Sequence, residues 1–419
     1  MSETPMSEME SQLRLLMIIA AGEPPRRIRG QAVRRKAVRR RMAASTAAAA
    51  AAVVLAGGVA VAVAAVAQRG GPGQRPSDHA RPPVAQISAS VPRYYVVGRT
   101  VRRGNETEVR VTATGAVRAK VHCPWRVPDV RPWPVASASN QTFFLVCQRA
   151  TRPAGYATFL ESRIYQFQVT GTGRVTGYTL VRGGSLPGLR VGAIAATPDG
   201  SKIAAIVYPG SLANLSPKTP ANILVINTRT GTHAIWHAAP PVAGKIVYYP
   251  QDISLTADGQ ELVFLTEPQC FGSHCTMPPG ASQQIRVVNP AVSGQLNNSR
   301  VLIRLSSVLR PSTASAVAAV ISPDRSRLTL EVVGNLSGRP SPQSVSVVQV
   351  PITGHRRLHF IYRLNASNGS YGYSFFSADP AVRHFLIGVG LDEMIAGRID
   401  DGRLIPLKPA GYQVAFEVW

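Results

Sequence analysis

The chain of 419 residues carries a formal net charge of +24, with 46 lysines and arginines against 22 aspartates and glutamates. Only six of the basic residues are lysines, and so arginine-rich a sequence, with abundant alanine, glycine, valine and proline, is typical of a GC-rich bacterial genome. The charge excludes nothing by itself, but no nucleic-acid-binding motif accompanies it, which argues against nucleic acid as the partner. General solubility explains much of the charge, and a basic exterior would also attract anionic partners.

Residues 1–41 form a short basic segment that begins with a predicted helix. Ser7 and Glu10 have the spacing of a capping box, the apolar run 13–19 follows, and Pro24 and Pro25 end the pattern. Arginines then crowd the segment up to residue 41. The helix is expected to lie on the inner membrane leaflet, with docking of a cytoplasmic partner as the alternative.

Residues 42–67 contain no charged side chain. As a helix they would be roughly 39 Å long, which exceeds a hydrocarbon core of about 30 Å. The cationic segment on the N-terminal side predicts a transmembrane helix with a cytoplasmic N-terminus and an exported C-terminal part. The sequence Ala65-Val66-Ala67 leaves a cleaved signal peptide as the alternative, although the preceding region is long for one.

Residues 68–83 are rich in proline and glycine and show no apolar period, so they are expected to be an extended linker. From residue 84 to 419 the residue pattern changes: apolar runs alternate with turn residues, and a Ser/Thr-x-Asp-Gly-like turn recurs between two apolar runs. The Ser or Thr positions recur at intervals of 49 to 66 residues, at 88, 137, 197, 256, 322 and 377. The predicted turn-forming residues are Asp199, Gly200, Asp258, Gly259, Asp324 and Asp379.

A third apolar run, a second turn and a fourth run follow most of these hairpins. Four strands per unit of about 50–60 residues is the arithmetic of a propeller blade. Continuous apolar runs such as 203–208 indicate strands buried on both faces, as in blades stacked around an axis. The predicted fold is therefore all-β: a β-propeller of six four-stranded blades, with seven as the alternative, preceded by one transmembrane α-helix. The strand-like segment 412–419 is expected to close the ring by joining the first blade.

The repeated turn and strand pattern, strongest at 197–208 and 322–333, resembles bacterial TolB-like and WD-repeat-like β-propellers over residues 84–419. It departs from them in the first copy, which lacks Asp-Gly, and at Arg325 and Pro380, where glycine is usual. The resemblance implies the fold and, most often in such propellers, a binding platform. The whole arrangement is similar to membrane proteins of actinobacterial type.

Four cysteines, Cys123, Cys147, Cys270 and Cys275, all follow the predicted span, where an oxidising compartment permits disulfides. Cys270 and Cys275 flank a short loop that a bond would staple. Cys123 and Cys147 would then pair by default. A metal site with His274 is the alternative for the first pair, but it lacks a fourth ligand.

No residue is assigned a catalytic, cofactor-binding or metal-binding role. There is no G-x-S-x-G motif. His355 and His359 share a strand face without further ligands, and Gly171–Arg174 fits a hairpin turn better than a phosphate loop. The loop 268–281 is the longest apparent insertion and is a candidate contact region.

These patterns predict a single-pass membrane protein whose extracytoplasmic propeller binds a protein, a peptide or an anionic cell-wall ligand without catalysis. A transmembrane regulator with a cytoplasmic partner-binding helix, and an exported hydrolase or lyase that uses the axial funnel, are the alternatives. The sequence assigns neither the ligand nor the oligomeric state.

Overall fold

The computed structural model describes residues 91–101, 104–124, 135–151, 158–209, 221–240, 242, 244–270, 275–277, 281–309, 313–335, 344–354, 357–365, 375–389, 393–405, 407 and 414–418. The N-terminal segment, the predicted span 42–67 and the linker 68–83 lie outside these residues. Among the described residues, no helix has both the length and the apolar character needed to cross a membrane.

The described residues form 25 strands and two short 3-10 helices, Leu296–Asn298 and Leu305–Ser307. The strands in chain order are β1 (Tyr94–Val101), β2 (Gly104–Val111), β3 (Val117–Val121), β4 (Val135–Ser139), β5 (Thr142–Thr151), β6 (Thr158–Val169), β7 (Val175–Pro187), β8 (Leu189–Ala196), β9 (Lys202–Pro209), β10 (Asn222–Asn227), β11 (His233–His237), β12 (Ile246–Leu255), β13 (Leu262–Cys270), β14 (Gln284–Val288), β15 (Gly294–Gln295), β16 (Arg300–Arg304), β17 (Thr313–Ile321), β18 (Arg327–Asn335), β19 (Ser344–Pro351), β20 (His359–Asn365), β21 (Phe375–Ala378), β22 (His384–Val389), β23 (Glu393–Arg398), β24 (Leu404–Ile405) and β25 (Val414–Val418).

The strands form six antiparallel sheets, one for each blade. Their orders are β25-β1-β2-β3 for blade 1, β4-β5-β6-β7 for blade 2, β8-β9-β10-β11 for blade 3, β12-β13-β14-β16 for blade 4, β17-β18-β19-β20 for blade 5 and β21-β22-β23-β24 for blade 6. The two-residue strand β15 belongs to blade 4 by sequence but pairs in parallel with β11, so it adds a fifth strand to blade 3.

The first strand of each sheet order lies innermost, and each innermost strand contacts its two neighbours in the succession β25, β4, β8, β12, β17, β21 and back to β25. This closed succession confirms the prediction of an all-β, six-bladed propeller with four-stranded blades. The predicted closing segment is present as β25, which supplies the innermost strand of blade 1. Blade 1 therefore has no hairpin between its first two strands, and the weak turn copy predicted at Ser88 lies outside the described residues.

The core consists of apolar layers between neighbouring blades. Phe143 and Phe167 of blade 2 stack with ring centroids 5.6 Å apart, in a cluster that also holds Tyr94 and Val96 of blade 1. Strand β9 is buried on both faces from Ile203 to Val207. Both faces of each sheet are covered by adjacent blades, and this explains why the middle strands read as continuous apolar runs.

Candidate functional site

The recurrent turn joins the first two strands of blades 3, 4 and 5 in one geometry. In blade 3 the hydroxyl of Thr197 accepts the amide of Lys202 at 3.0 Å and donates to Oδ1 of Asp199 at 2.6 Å. The Asp199 carboxylate also accepts the amide of Ser201 at 3.0 Å. Thr256 with Asp258, and Ser322 with Asp324, repeat these bonds. These aspartates therefore make turns.

Hydrogen bonding within the turns sets the charge of the three aspartates. Burial acts to raise the pKa of Asp199 and of Asp258, but hydrogen bonds from the threonine hydroxyls and nearby amides outweigh it, and both pKa values fall below their usual range. The Ser322 hydroxyl is the main cause of the lowered pKa of Asp324. All three carboxylates are therefore held ionised.

The copies in blades 2 and 6 are displaced by two residues from the register read in the sequence. In blade 6, Asp379 itself takes the place of Thr197, because its Oδ1 accepts the amide of His384 at 2.8 Å and its own amide donates to the His384 carbonyl. In blade 2 the hydroxyl of Ser139, and not of Ser137, accepts an amide across the turn, that of Thr142 at 3.1 Å.

The position three residues after the Ser, Thr or Asp has positive φ in each of these four-residue turns. Gly200 and Gly259 have φ of 67° and 62°, and Arg325 and Val382 have 59° and 52°. Glycine adopts this region freely, whereas a β-branched residue there is strained. Arg325 therefore replaces the usual glycine while the turn keeps the same backbone conformation.

An axial cavity of about 270 Å³ lies among the innermost strands of blades 2 to 6. Most of its lining consists of small or aliphatic side chains, with the serines Ser137, Ser254 and Ser377 and the amide Gln251 among them. Its charged lining residues come from three successive blades: Asp252 from blade 4, Glu331 from blade 5 and Asp379 from blade 6. Polar and apolar groups therefore share the cavity surface about equally.

Asp252 is placed by an irregularity that recurs in the innermost strands. The pairing register of β8, β12 and β17 shifts around Gly192, Gln251 and Val317, each five residues before the Ser or Thr of the following turn. Such a bulge re-aims the next side chain. The next residue is alanine in blades 3 and 5 and Asp252 in blade 4.

Asp252 is surrounded by protein although part of its surface faces the cavity. Burial raises the pKa of its carboxyl to about 7, against the lowering effect of the amide of Ala319, which donates to Oδ2 at 2.8 Å. The group can therefore gain or lose a proton near neutral pH. Glu331 is fully buried in the middle of β18.

Asp379 and His384 form a buried pair, with Asp379 Oδ2 3.1 Å from His384 Nδ1. Asp379 also accepts the amides of Arg383 and His384. Only Asp379 of the pair lines the cavity. His384 thus does not line the cavity, and it stabilises the turn through its contact with Asp379.

Asp252, Glu331 and His384 were not singled out in the sequence. The available signal was a lone acidic residue inside an apolar strand, as at Asp252 in β12 and at Glu331 between Leu330 and Val332. Which face such a residue points to depends on bulges and blade packing, and these are not evident from the sequence.

None of the other sequence candidates that the structure describes lines the cavity. Cys123 and Cys147 are bonded, with Cα atoms 5.6 Å apart, and join the end of blade 1 to blade 2. Cys270 and Cys275 are bonded within the candidate contact loop 268–281, half of which lies outside the described residues. His274 and His355 also lie outside them, whereas His359 is exposed at the start of β20. Gly171–Arg174 is the turn between β6 and β7, and within the described residues no group of three His, Cys, Asp or Glu could hold a metal ion.

Comparison with known proteins finds propellers among solved structures. No protein-family model and no curated protein sequence matches the chain. The Cps50 (Swd1) propeller of Myceliophthora thermophila is 9% identical to this chain, with a TM-score of 0.41. The match covers 78% of this chain and 86% of the Cps50 chain. TolB, as assigned in Agrobacterium tumefaciens, is 12% identical with a TM-score of 0.39, over 76% and 90%. Hydrazine synthase of Kuenenia stuttgartiensis is also 12% identical with a TM-score of 0.39, over 75% and 79%. All three TM-scores lie below 0.5, so these neighbours support no inference about this chain, and the six-bladed fold rests on its own strand topology.

Proposed function

We propose that the chain is a single-pass membrane protein whose extracytoplasmic propeller binds a peptide or protein ligand without catalysis. Residues 1–41 are cytoplasmic in this proposal, and 42–67 form the membrane span. The observation that supports binding is the axial cavity of about 270 Å³, which the innermost strands of five blades line. A cavity of this size suits one side chain or chain terminus of a larger ligand.

The carboxylates of the cavity favour a basic group as the part of the ligand that enters it. Asp252 is the most accessible carboxylate of the lining, since Glu331 and Asp379 are almost fully buried in the cavity wall, and no lysine, arginine or histidine is among the described lining residues. In surroundings that exclude water, a cation near these groups is stabilised more strongly than in solvent. A lysine side chain or an N-terminal amine has the required charge and size.

The roles of two of these carboxylates in the fold support a non-catalytic function. Asp252 accepts a backbone amide from the neighbouring blade, and Asp379 accepts two amides of its own turn. Both groups are thereby held in fixed positions by the scaffold. A preorganised acceptor of this kind can bind a cation without reacting with it.

The disulfides support the extracytoplasmic location. All four cysteines of the chain are paired, Cys123 with Cys147 and Cys270 with Cys275. Such bonds persist in oxidising compartments and are rare in the bacterial cytoplasm.

Calorimetric titration of the full-length protein in detergent micelles tests the binding proposal. Nα-acetyl-lysine amide, whose side-chain amine stays charged, should bind, and Nα-acetyl-glutamate amide should not. Ala195→Leu, which places a larger side chain in the cavity lining, should abolish lysine binding. Ala291→Leu makes the same change at an exposed turn and should leave it unaltered. Binding that ignores the charge of the probe, or that survives Ala195→Leu, would refute the proposal.

Asp252 also favours a second candidate function, that of an exported hydrolase or lyase. A carboxyl with a pKa of about 7 is suited to general acid–base catalysis. This candidate predicts turnover of at least one substrate in a panel of chromogenic esters and glycosides, with loss of that turnover in Asp252→Asn. Unchanged turnover in the variant would exclude Asp252 as the acid or base.

A further inference from the structure

The turns between the first and second strands, and between the third and fourth strands, of the blades lie on one side of the propeller, which we call the turn face. Bonds between the two kinds of turn show this arrangement. The hydroxyl of Thr228 donates to the carbonyl of Gly200 at 2.7 Å in blade 3, and the amide of Ile352 donates to the carbonyl of Ser326 at 2.9 Å in blade 5.

In blades 2 and 3 the turn before the outermost strand packs against the outermost strand of the preceding blade. A β-carbon at Gly173 would lie 2.9 Å from Cβ of Arg118, so the blade 2 turn rests directly on β3. In the same way, Nη1 of Arg182 in β7 donates to the carbonyl of Arg229 in the blade 3 turn at 3.0 Å. These contacts bring arginines from successive blades together at the turn face.

The arginines at this place form what we call the arginine patch: Arg93, Arg118, Arg174, Arg182 and Arg229. All five are exposed. Among the described residues none of them has a carboxylate within ion-pair distance, and Arg93 instead lies over the ring of Tyr94 at 5.5 Å. The nearest turn carboxylate in sequence, Asp199, is occupied by the hydroxyls of Thr197 and Ser201.

The arginines of the turn face on blades 4 to 6 are arranged differently. Arg325 pairs with Asp258 and Glu261, and Arg300 also reaches Glu261. In blade 6, Arg398 pairs with Asp400 and Asp401, and Arg403 lies 3.5 Å from Asp401. Arg327, Arg357 and Arg383 are also exposed at this face of blades 5 and 6, and among the described residues they have no carboxylate within ion-pair distance. The described arginines without such a partner are therefore more numerous on blades 1 to 3, with five, than on blades 4 to 6, with three.

The chain also enters the propeller at this face. The amide of Thr112, in the turn between β2 and β3, donates to the carbonyl of Arg93 at 3.0 Å, so the residues that lead into β1 arrive beside the turns. The residues directly before β1 therefore lie on the side of the propeller that carries the arginine patch. The docking proposed next rests on the proposed membrane anchor.

We propose that the arginine patch docks the propeller on anionic lipid headgroups of the membrane that holds the span. The turns of several blades lie at one level, so their arginines can meet a flat charged surface together. An arginine near an anionic membrane surface contributes roughly a fivefold change in the docking equilibrium. Because these charges are exposed, salt screens the attraction.

Hydrogen exchange of the full-length protein in lipid nanodiscs tests the proposal. The turns at 170–174 and 227–231 should exchange more slowly in discs that contain phosphatidylglycerol than in discs of phosphatidylcholine alone, and high salt should remove the difference. Arg174→Gln with Arg229→Gln should lower the ratio of docked to undocked protein by about 25-fold. Arg304→Gln with Arg363→Gln removes the same charge at the opposite ends of the outermost strands of blades 4 and 5, and should leave the ratio unchanged.

Equal exchange in the two kinds of disc, or an equal effect of the two double variants, would overturn the proposal. Protection by added polyphosphate in phosphatidylcholine discs, without protection by phosphatidylglycerol, would overturn it in favour of a polyanionic polymer. A protein that fails to insert into discs at all would instead contradict the anchor. Nanodiscs expose both leaflets, so docking is measured independently of which side of the cell membrane the propeller occupies.

Discussion

The amide of Ala319 donates a hydrogen bond to Oδ2 of Asp252 at 2.8 Å, across the boundary between the innermost strands of blades 4 and 5. The bond joins two adjacent blades at the cavity wall. It exists because a bulge at Gln251 re-aims the following residue, which is alanine at the corresponding points of blades 3 and 5. A single acidic residue thus both lines the cavity and fastens two blades.

Asp252→Asn should make the protein more stable at alkaline pH. The folded pKa of about 7 lies above the unfolded value near 4, so between these values the unfolded chain releases a proton that the folded chain retains. Wild-type stability therefore falls as pH rises through this window and is constant above it. Asparagine can still accept the Ala319 amide, so the variant should gain about 2 kcal/mol at pH 8, after allowance for partial solvent access. Urea unfolding at several pH values measures the difference.

Asp199→Asn is the control, because the fold shifts the pKa of Asp199 in the opposite direction from that of Asp252. Its pKa is lowered in the fold, so the stabilisation by its carboxylate is present above the unfolded pKa and is lost as pH falls through the folded value. Asp199→Asn should therefore be less stable than the wild type at neutral pH and should approach it in acid. The same pH trend in both variants would show that the two carboxylates do not differ as described.

Gly200→Ala and Gly259→Ala should both destabilise the protein, the second more than the first. Each glycine has positive φ, which costs an alanine about 1 kcal/mol. At Gly200 a β-carbon would meet its nearest neighbour, in Phe144, at 3.5 Å, an ordinary contact. At Gly259 it would lie 2.8 Å from Cγ2 of Thr197. Thermal unfolding measures the order, and equal losses would mean that the blades shift to remove the contact.

Removal of the Cys123–Cys147 bond by paired alanine substitutions should cost about 3 kcal/mol of unfolding free energy, since the bond closes a loop with a sequence separation of 24 residues. Removal of the Cys270–Cys275 bond should cost roughly 1 kcal/mol less, because the separation is only 5 residues. Denaturant unfolding of the two double variants compares them. A larger loss for the shorter loop would indicate that interactions of the bond in the folded state, and not chain entropy, control the effect.

The fold was predictable because its signals are local. The Thr197, Thr256 and Ser322 turns carry their own hydrogen bonds, and strands such as β9 are apolar throughout because both faces are buried. The turn copies at Ser137 and Ser377 were misread by two residues because a different residue, Ser139 or Asp379, supplies the capping oxygen. Serine, threonine and aspartate can each supply the oxygen that accepts the amide across the turn, so residue type alone does not identify the first residue of the turn.

The cavity and the arginine patch were not predictable in the same way. Asp252 and Glu331 come from different blades and share a cavity only because the ring closes. Arg118 and Arg174 are 56 positions apart in the chain and become neighbours only when the blade 2 turn packs on β3. The predicted span 42–67 and the cytoplasmic helix lie outside the described residues, and they stay predictions.

Labelling of intact cells with a membrane-impermeant maleimide tests the central claim, an extracytoplasmic propeller on a membrane span, most directly. Val242→Cys introduces a thiol at an exposed position of the propeller, and Ser2→Cys introduces one in the N-terminal segment. An extracytoplasmic propeller requires that intact cells label the first variant and not the second, whereas lysed cells label both. A propeller thiol that reacts only after lysis, while a known surface protein is labelled in intact cells, would contradict it.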